Sequence, residues 1–306
     1  MSTSDDLRKE GDNLAKEGKL REAIEFYKQS IANDRKNYLA YYNKGVTHLE
    51  LGQNRRAAEE LSYYVVKREK DVDGWINFAI ALSNLHKFKD ALSALQSALD
   101  LSPNDPDIFF NIGIAHHSMG NFEDAKEGFE RAIELDKNSG EYRYHLANLL
   151  ADMYDLIGAK EIYLELLEEN WEGNRAEILY NLGNTLLDLE EYERAREYYE
   201  LALEQRGDHR IKFNLAFAVE DKDPERSANL YRELIEDNPD FHEAHYNLAC
   251  LLARQSNPEA LVHLKECLRI AKNTYLDSIR SDADLDNIRH LDEFQDIFHH
   301  EERTES

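Results

Sequence analysis

The sequence predicts an all-α fold, an α-α superhelix in which short helical hairpins stack one on the next. Three observations carry that prediction. A small residue recurs at Gly11, Gly45, Ala79, Gly113, Ala147, Gly183, Ala216 and Ala249, with spacings of 34, 34, 34, 34, 36, 33 and 33 residues. A second small residue keeps step with it, at Ala23, Ala57, Ala91, Ala125, Ala159, Ala195, Ser227 and Ala260, and a large apolar residue stands four beyond each, at Tyr27, Leu61, Leu95, Phe129, Tyr163, Tyr199, Tyr231 and Leu264. Finally, 13 Gly and 5 Pro in 306 residues are too few turn formers for an all-β chain of this length.

Two small residues about twelve apart, with a bulky one four after the second, describe two helices that touch where side chains are small, with an anchor between them. In chain order the units are residues 4-37, 38-71, 72-105, 106-139, 140-173, 176-208, 209-241 and 242-272. Gly18, Gly52 and Gly120 fall between the helices of their units, and Ser102-Pro103-Asn104 and Asn238-Pro239-Asp240 close others. A two-residue insertion near Trp171 to Arg175, and one residue lost between the helices of each of the last two units, predict altered stacking there. No hairpin buries both of its faces alone, so the units form an array. Beyond residue 272 the pattern stops. Leu276, Ile279, Leu285, Ile288, Phe294, Ile297 and Phe298 predict capping helices over 273-298, and 299-306 reads as a disordered tail.

These units resemble tetratricopeptide repeats (TPR), whose pattern is W-x2-L-G-x2-Y, then A-x3-F, then P. The third unit reads Trp75, Phe78, Ala79, Leu82, Ala91, Leu95, Ala98 and Pro103 at those places, and the sixth reads Leu179, Leu182, Gly183, Leu186, Ala195, Tyr199 and Ala202. The run Asp284 to Arg289 followed by Phe294 is similar to the ending of many prokaryotic repeat proteins. The resemblance spans residues 4 to about 272 and implies a right-handed solenoid that serves as a protein-interaction platform, with the first helix of each repeat lining the concave face.

Composition narrows the function. A net charge of −25 at neutral pH repels DNA, RNA and anionic lipid, so no nucleic acid and no membrane partner is expected. No apolar run approaches the ~18 residues of a membrane span, and the first residues lack the apolar core of a signal peptide, which makes a cytoplasmic location the expectation. Cys250 and Cys267 form neither a disulfide framework nor a four-cysteine metal site, and read as packed thiols. No phosphate loop, HExxH motif or isolated carboxylate pair occurs, and His242 with His245 reads as part of a polar helix face, as His299 and His300 read as tail. No enzyme activity, catalytic residue, metal or cofactor is therefore expected.

The richer pattern lies on the first helices. Two residues before the small one stands asparagine in six of eight repeats, namely Asn43, Asn77, Asn111, Asn181, Asn214 and Asn247, with His145 in the fifth and Lys9 in the first. A side-chain amide offers both donor and acceptor, so such a row can hold the peptide units of an extended chain whatever its sequence. The row resembles the asparagine ladder of superhelical repeat domains that bind peptides by backbone. Val46, Ile80 and Ile114 would add apolar pockets, and bulky residues precede the asparagines at Tyr42, Ile76, Phe110, Tyr180, Phe213 and Tyr246. The same asparagines also fit ordinary family consensus, and the same aromatics fit packing between repeats.

Acidic residues begin many first helices, at Asp5, Asp73, Asp107, Glu141, Glu177 and Glu243, where they suit the helix dipole and would favour basic partners. The carboxylate clamp of chaperone-binding relatives does not match: Arg8 and Asn43 keep its chemistry, whereas Asp12 and Asp73 would repel a terminal carboxylate. The expected function is a scaffold or adaptor that binds an extended, neutral or basic peptide segment in the concave groove. The alternatives are a dedicated chaperone or assembly factor for one partner, and a regulatory subunit that acts on an enzyme through its convex acidic face. The sequence leaves the oligomeric state open.

Overall fold

The computed structural model describes residues 2–171 and 173–302, all helices and turns, with no strand among them. Seventeen α-helices follow in order: α1 (Ser4–Lys16), α2 (Leu20–Asn33), α3 (Tyr38–Glu50), α4 (Asn54–Lys67), α5 (Val72–Ser83), α6 (Phe88–Leu101), α7 (Pro106–Ser118), α8 (Phe122–Leu135), α9 (Gly140–Asp152), α10 (Leu156–Glu168), α11 (Arg175–Asp188), α12 (Tyr192–Gln205), α13 (His209–Val219), α14 (Pro224–Asp237), α15 (His242–Arg254), α16 (Ala260–Ser281) and α17 (Asp292–Glu302). They form two compact units, Met1–Tyr154 and Asp155–Ser306. The first holds four hairpins and α9, and the second holds α10, three more hairpins and the C-terminal cap.

Close approach at the small residues builds each hairpin. A β-carbon added to Gly113 would lie 2.6 Å from the Phe129 ring, and one added to Gly183 would lie 2.6 Å from the Tyr199 ring. In the fourth hairpin Gly128 opposes Gly113 directly: its β-carbon would stand 2.9 Å from the Gly113 backbone. The anchors Tyr27, Leu61, Leu95, Phe129, Tyr163, Tyr199, Tyr231 and Leu264 are all buried. In the seven hairpins that lie within one unit, the anchor therefore fills the groove that its small partner opens.

Side-chain caps set the starts of most first helices. Asp71, Asp105, Ser139, Asn174 and Asp208 each accept a hydrogen bond from a first-turn amide. In most repeats the turn after the first helix contains one left-handed residue. Gly18, Gly52 and Gly120 supply it without cost, and His86, Glu190 and Ser256 adopt it elsewhere, with φ of 57°, 60° and 57°.

The cap depends on the motif visible in the sequence together with Asp282, which stands just before it. Helix α16 breaks at Ala271 (φ −137°, ψ 52°), so its second half changes direction while Tyr275 and Ile279 keep it packed on the eighth hairpin. Asp282 ends it and starts a single 3-10 turn, Ala283–Leu285. The Asp282 carboxylate accepts hydrogen bonds from the Tyr246 hydroxyl (2.5 Å) and the Asp284 amide (3.0 Å). Arg289 closes the assembly by donating to the carbonyls of Arg280 (2.5 Å) and Asp282 (2.7 Å), where the helix dipole is negative, and it lies over the Phe294 ring. Ile279, Leu285, Ile288 and Phe294 are buried against the eighth hairpin. The expected loose tail differs in part: residues 299–302 continue α17, and 303–306 lie outside the described residues.

Gly113→Val should cost about 1–3 kcal/mol, because the branched side chain has to displace Phe129 from a packed site. Urea unfolding followed by far-UV circular dichroism reads this, and an unchanged midpoint would show that the contact can relax.

Candidate functional site

The first helices α1, α3, α5, α7 and α9 in one unit, and α11, α13 and α15 in the other, carry the expected row. Every member of it is half-buried: Asn43, Asn77, Asn111 and His145 in the first unit, and Asn181, Asn214 and Asn247 in the second. Val46, Ile80 and Ile114, one residue past the small position, are half-buried as well.

The sequence did not show that these amides are already held, several of them by the preceding repeat. Asn43 donates to the Asp12 carboxylate (2.5 Å), Asn77 to the Tyr42 hydroxyl (3.1 Å), and Asn214 to the side-chain oxygen of Asn184 (2.8 Å) and the Tyr180 hydroxyl (3.4 Å). Asn247 donates to the anchor Tyr231 (3.3 Å). The anchor hydroxyls join the same chain, since Tyr27 donates to Asp12 (3.1 Å) and Tyr199 to Asn184 (2.8 Å). Buried hydroxyls need such partners, and the residue after the small one, Asp12 or Asn184, links core anchor to surface amide.

Two asparagines have an orientation that chemistry fixes. Asn77 donates to the backbone carbonyl of Asp73 (2.9 Å) and Asn111 to that of Asp107 (2.7 Å). A carbonyl only accepts, so the NH2 group must face it and the amide oxygen must face away. Among the described residues no donor reaches either oxygen. These two positions therefore present acceptors.

His145 replaces asparagine in an aromatic pocket, 5.0 Å from Phe110, 5.5 Å from Tyr144 and 6.1 Å from Phe129 between ring centroids. Loss of solvent, helped by His117, pulls its pKa down from 6.5 to about 4, so it is neutral at physiological pH. The bulky residues before the asparagines pack within their units: Tyr42 against Tyr64, Phe110 against Phe129 and Tyr142, and Tyr246 against Tyr275. Asp12 lies between Arg8 (2.6 Å) and Asn43, and so occupies both groups that a carboxylate clamp would use.

Two further features depart from or go beyond the sequence reading, the burial of His245 and the carboxylates beside Cys250. His245 is buried rather than part of a polar face, 3.0 Å from His263 and 3.2 Å from the Pro239 carbonyl. Cys250 and Cys267 are buried thiols; burial raises both, Cys267 to about 12, so neither is a thiolate at neutral pH. Cys250 also approaches Asp282 (3.6 Å) and Asp284, a grouping no motif announced. The side chains of His299 and His300 lie outside the described residues.

Sequence profiles described as tetratricopeptide repeat match residues 26–59, 85–149, 176–209 and 230–260, and the third match coincides with the α11–α12 hairpin. The chain belongs to the tetratricopeptide repeat family. Its TPR helices are similar to those of a TPR protein from Parabacteroides merdae (TM-score 0.61, 15% identity, 81% of this chain and 98% of that one). They are also similar to pilF of Pseudomonas aeruginosa (TM-score 0.56, 19% identity, 67% and 92%) and a thermophilic TPR protein of Thermus thermophilus (TM-score 0.51, 20% identity, 60% and 100%). At these identities the likeness is one of fold. Among curated proteins, DnaJ homolog subfamily C member 3 of Gallus gallus is 28% identical over 94 residues, 31% of this chain and 18% of that protein, so the chain matches less than one fifth of that relative's length. TPR proteins generally mediate protein–protein interactions and are generally not enzymes. Among the described residues no helix is long and apolar enough to cross a membrane.

The His145 pocket sets a pH dependence. The folded pKa lies below the unfolded one, so unfolded chain takes up the proton first, and stability falls as pH drops from about 6.5 toward 4, by at most ~3 kcal/mol. Urea midpoints of wild type and His145→Asn at pH 7.5, 5.5 and 4.5 should diverge on acidification, with the variant losing less; parallel curves would place the acid sensitivity elsewhere.

Proposed function

We propose that this TPR protein is a scaffold that holds an extended, neutral or basic segment of a partner protein along the first-helix row Asn43, Asn77, Asn111, His145, Asn181, Asn214 and Asn247, with Val46, Ile80 and Ile114 as apolar contacts. The observation that carries this reading is the pinned amide. Because Asn77 and Asn111 spend their donors on backbone carbonyls, they offer oxygens to a ligand that brings N–H groups, as an extended peptide backbone does. Asp73 and Asp107 stand one turn before these asparagines and are exposed, which favours lysine or arginine in the bound segment and disfavours acidic ones. The eight repeats take the boundaries given by the sequence periodicity. A reducing cytoplasm suits two buried, protonated thiols.

The dedicated assembly factor would use the same row, whereas a regulatory subunit working through its second-helix face would not. Protein captured from native lysate by wild type should be lost with the combined Asn77, Asn111, Asn181 and Asn214 to Ala variant. Matching circular dichroism and melting curves would show that the variant still folds. Capture that survives the four changes would exclude the row as the binding surface.

A further inference from the structure

The second unit contains a recess of about 600 Å³ where the carboxyl ends of α11, α13 and α15 meet the cap. Its origin is a length difference. Helix α13 has 11 residues, whereas its neighbours α11 and α15 have 14 and 13, so it stops short and leaves room between two longer helices.

The floor is apolar and uncovered. Phe217 is 47% exposed and Tyr192 42% exposed, a large aromatic area to leave in water at one spot. Phe217 is also the seventh-repeat counterpart of Val46, Ile80 and Ile114, since it follows the small residue Ala216. The walls are acidic, with six carboxylates against three cations. Two of those cations are committed: Arg194 to Glu191 (2.5 Å), and Arg254 to Glu220 and to Asp221 (3.2 Å). Glu190 and Asp284 form no ion pair among the described residues.

We propose that this recess is a docking pocket for an arginine or lysine side chain of a partner protein. The aliphatic stem and cationic head lie over Phe217 and Tyr192, and the head is neutralised by Glu190 and Asp284. An anion would meet net repulsion, and a purely apolar group would leave the carboxylates desolvated without a partner. The pocket rests on the reading of the chain as a binder of protein segments, and adds to it a selection for one cationic residue at a defined repeat.

The test uses the full 15N-labelled chain and two unstructured pentapeptides, Gly-Ser-Arg-Ser-Gly and the same peptide with citrulline, the neutral analogue of arginine. The arginine peptide should shift the amides of Phe217 to Lys222 and Glu190 to Glu193, and the citrulline peptide should bind about tenfold more weakly or not at all. Phe217→Ala and Glu190→Gln should each weaken the arginine response about threefold to tenfold. Val262→Ser, exposed and outside both the recess and the asparagine row, should leave it unchanged, and because this response is read at Phe217 to Lys222 while the row is read by lysate capture, failure of one can be told from failure of the other. Equal shifts with citrulline, shifts confined to other helices, or equally tight binding of free spermidine would each overturn the proposal.

Discussion

Every other feature of this chain depends on the close approach of paired helices at a small residue. With glycine at Gly11, Gly45, Gly113 or Gly183, the second helix sets its anchor, Tyr27, Leu61, Phe129 or Tyr199, against backbone rather than against a side chain. The anchor is then held deeply enough to be buried, while its far end can still reach the residues beside the small one. A tyrosine in that role carries a polar atom through the hairpin interior, and that atom must be paired. In the first and sixth repeats, the polar face of the first helix is consequently tied to the core through Asp12 and Asn184.

Much of the fold was legible because it repeats. Eight in-phase copies of small and bulky residues state where helices touch, and periodicity of that kind survives any single weak match. The cap was legible only as apolar residues among acids. Its decisive contacts come from Asp282, which stands before the recognised stretch, and from Arg289, whose bonds to the carbonyls of Arg280 and Asp282 leave no trace in sequence. The last residues of α17 were missed because the apolar pattern ends before the helix does.

The candidate site was legible as a set of positions but not as a set of hydrogen bonds. Asn43, Asn77 and Asn214 take partners from the preceding repeat, more than thirty positions away in most cases, and rotamers decide which atom faces out. The burial of His245 depends on α16 bringing His263 against it, which helical periodicity within α15 does not reveal. Phe217 escaped notice because the apolar residues next to the small position were evident in three neighbouring repeats, whereas asparagine at 148 and 184 interrupts the series before it resumes.

Because Asp12, Tyr42 and Tyr180 each reach forward to an asparagine of the following repeat, the unit that inherits a working amide is a pair of neighbours, not one 34-residue module. Duplicating or deleting a single repeat would keep the helices in register yet give some asparagine a new upstream neighbour. Its amide would stay aimed only if that neighbour also offers a hydroxyl or carboxylate at the matching place. Arrays of this design can therefore change length more freely than they can change the order of their repeats.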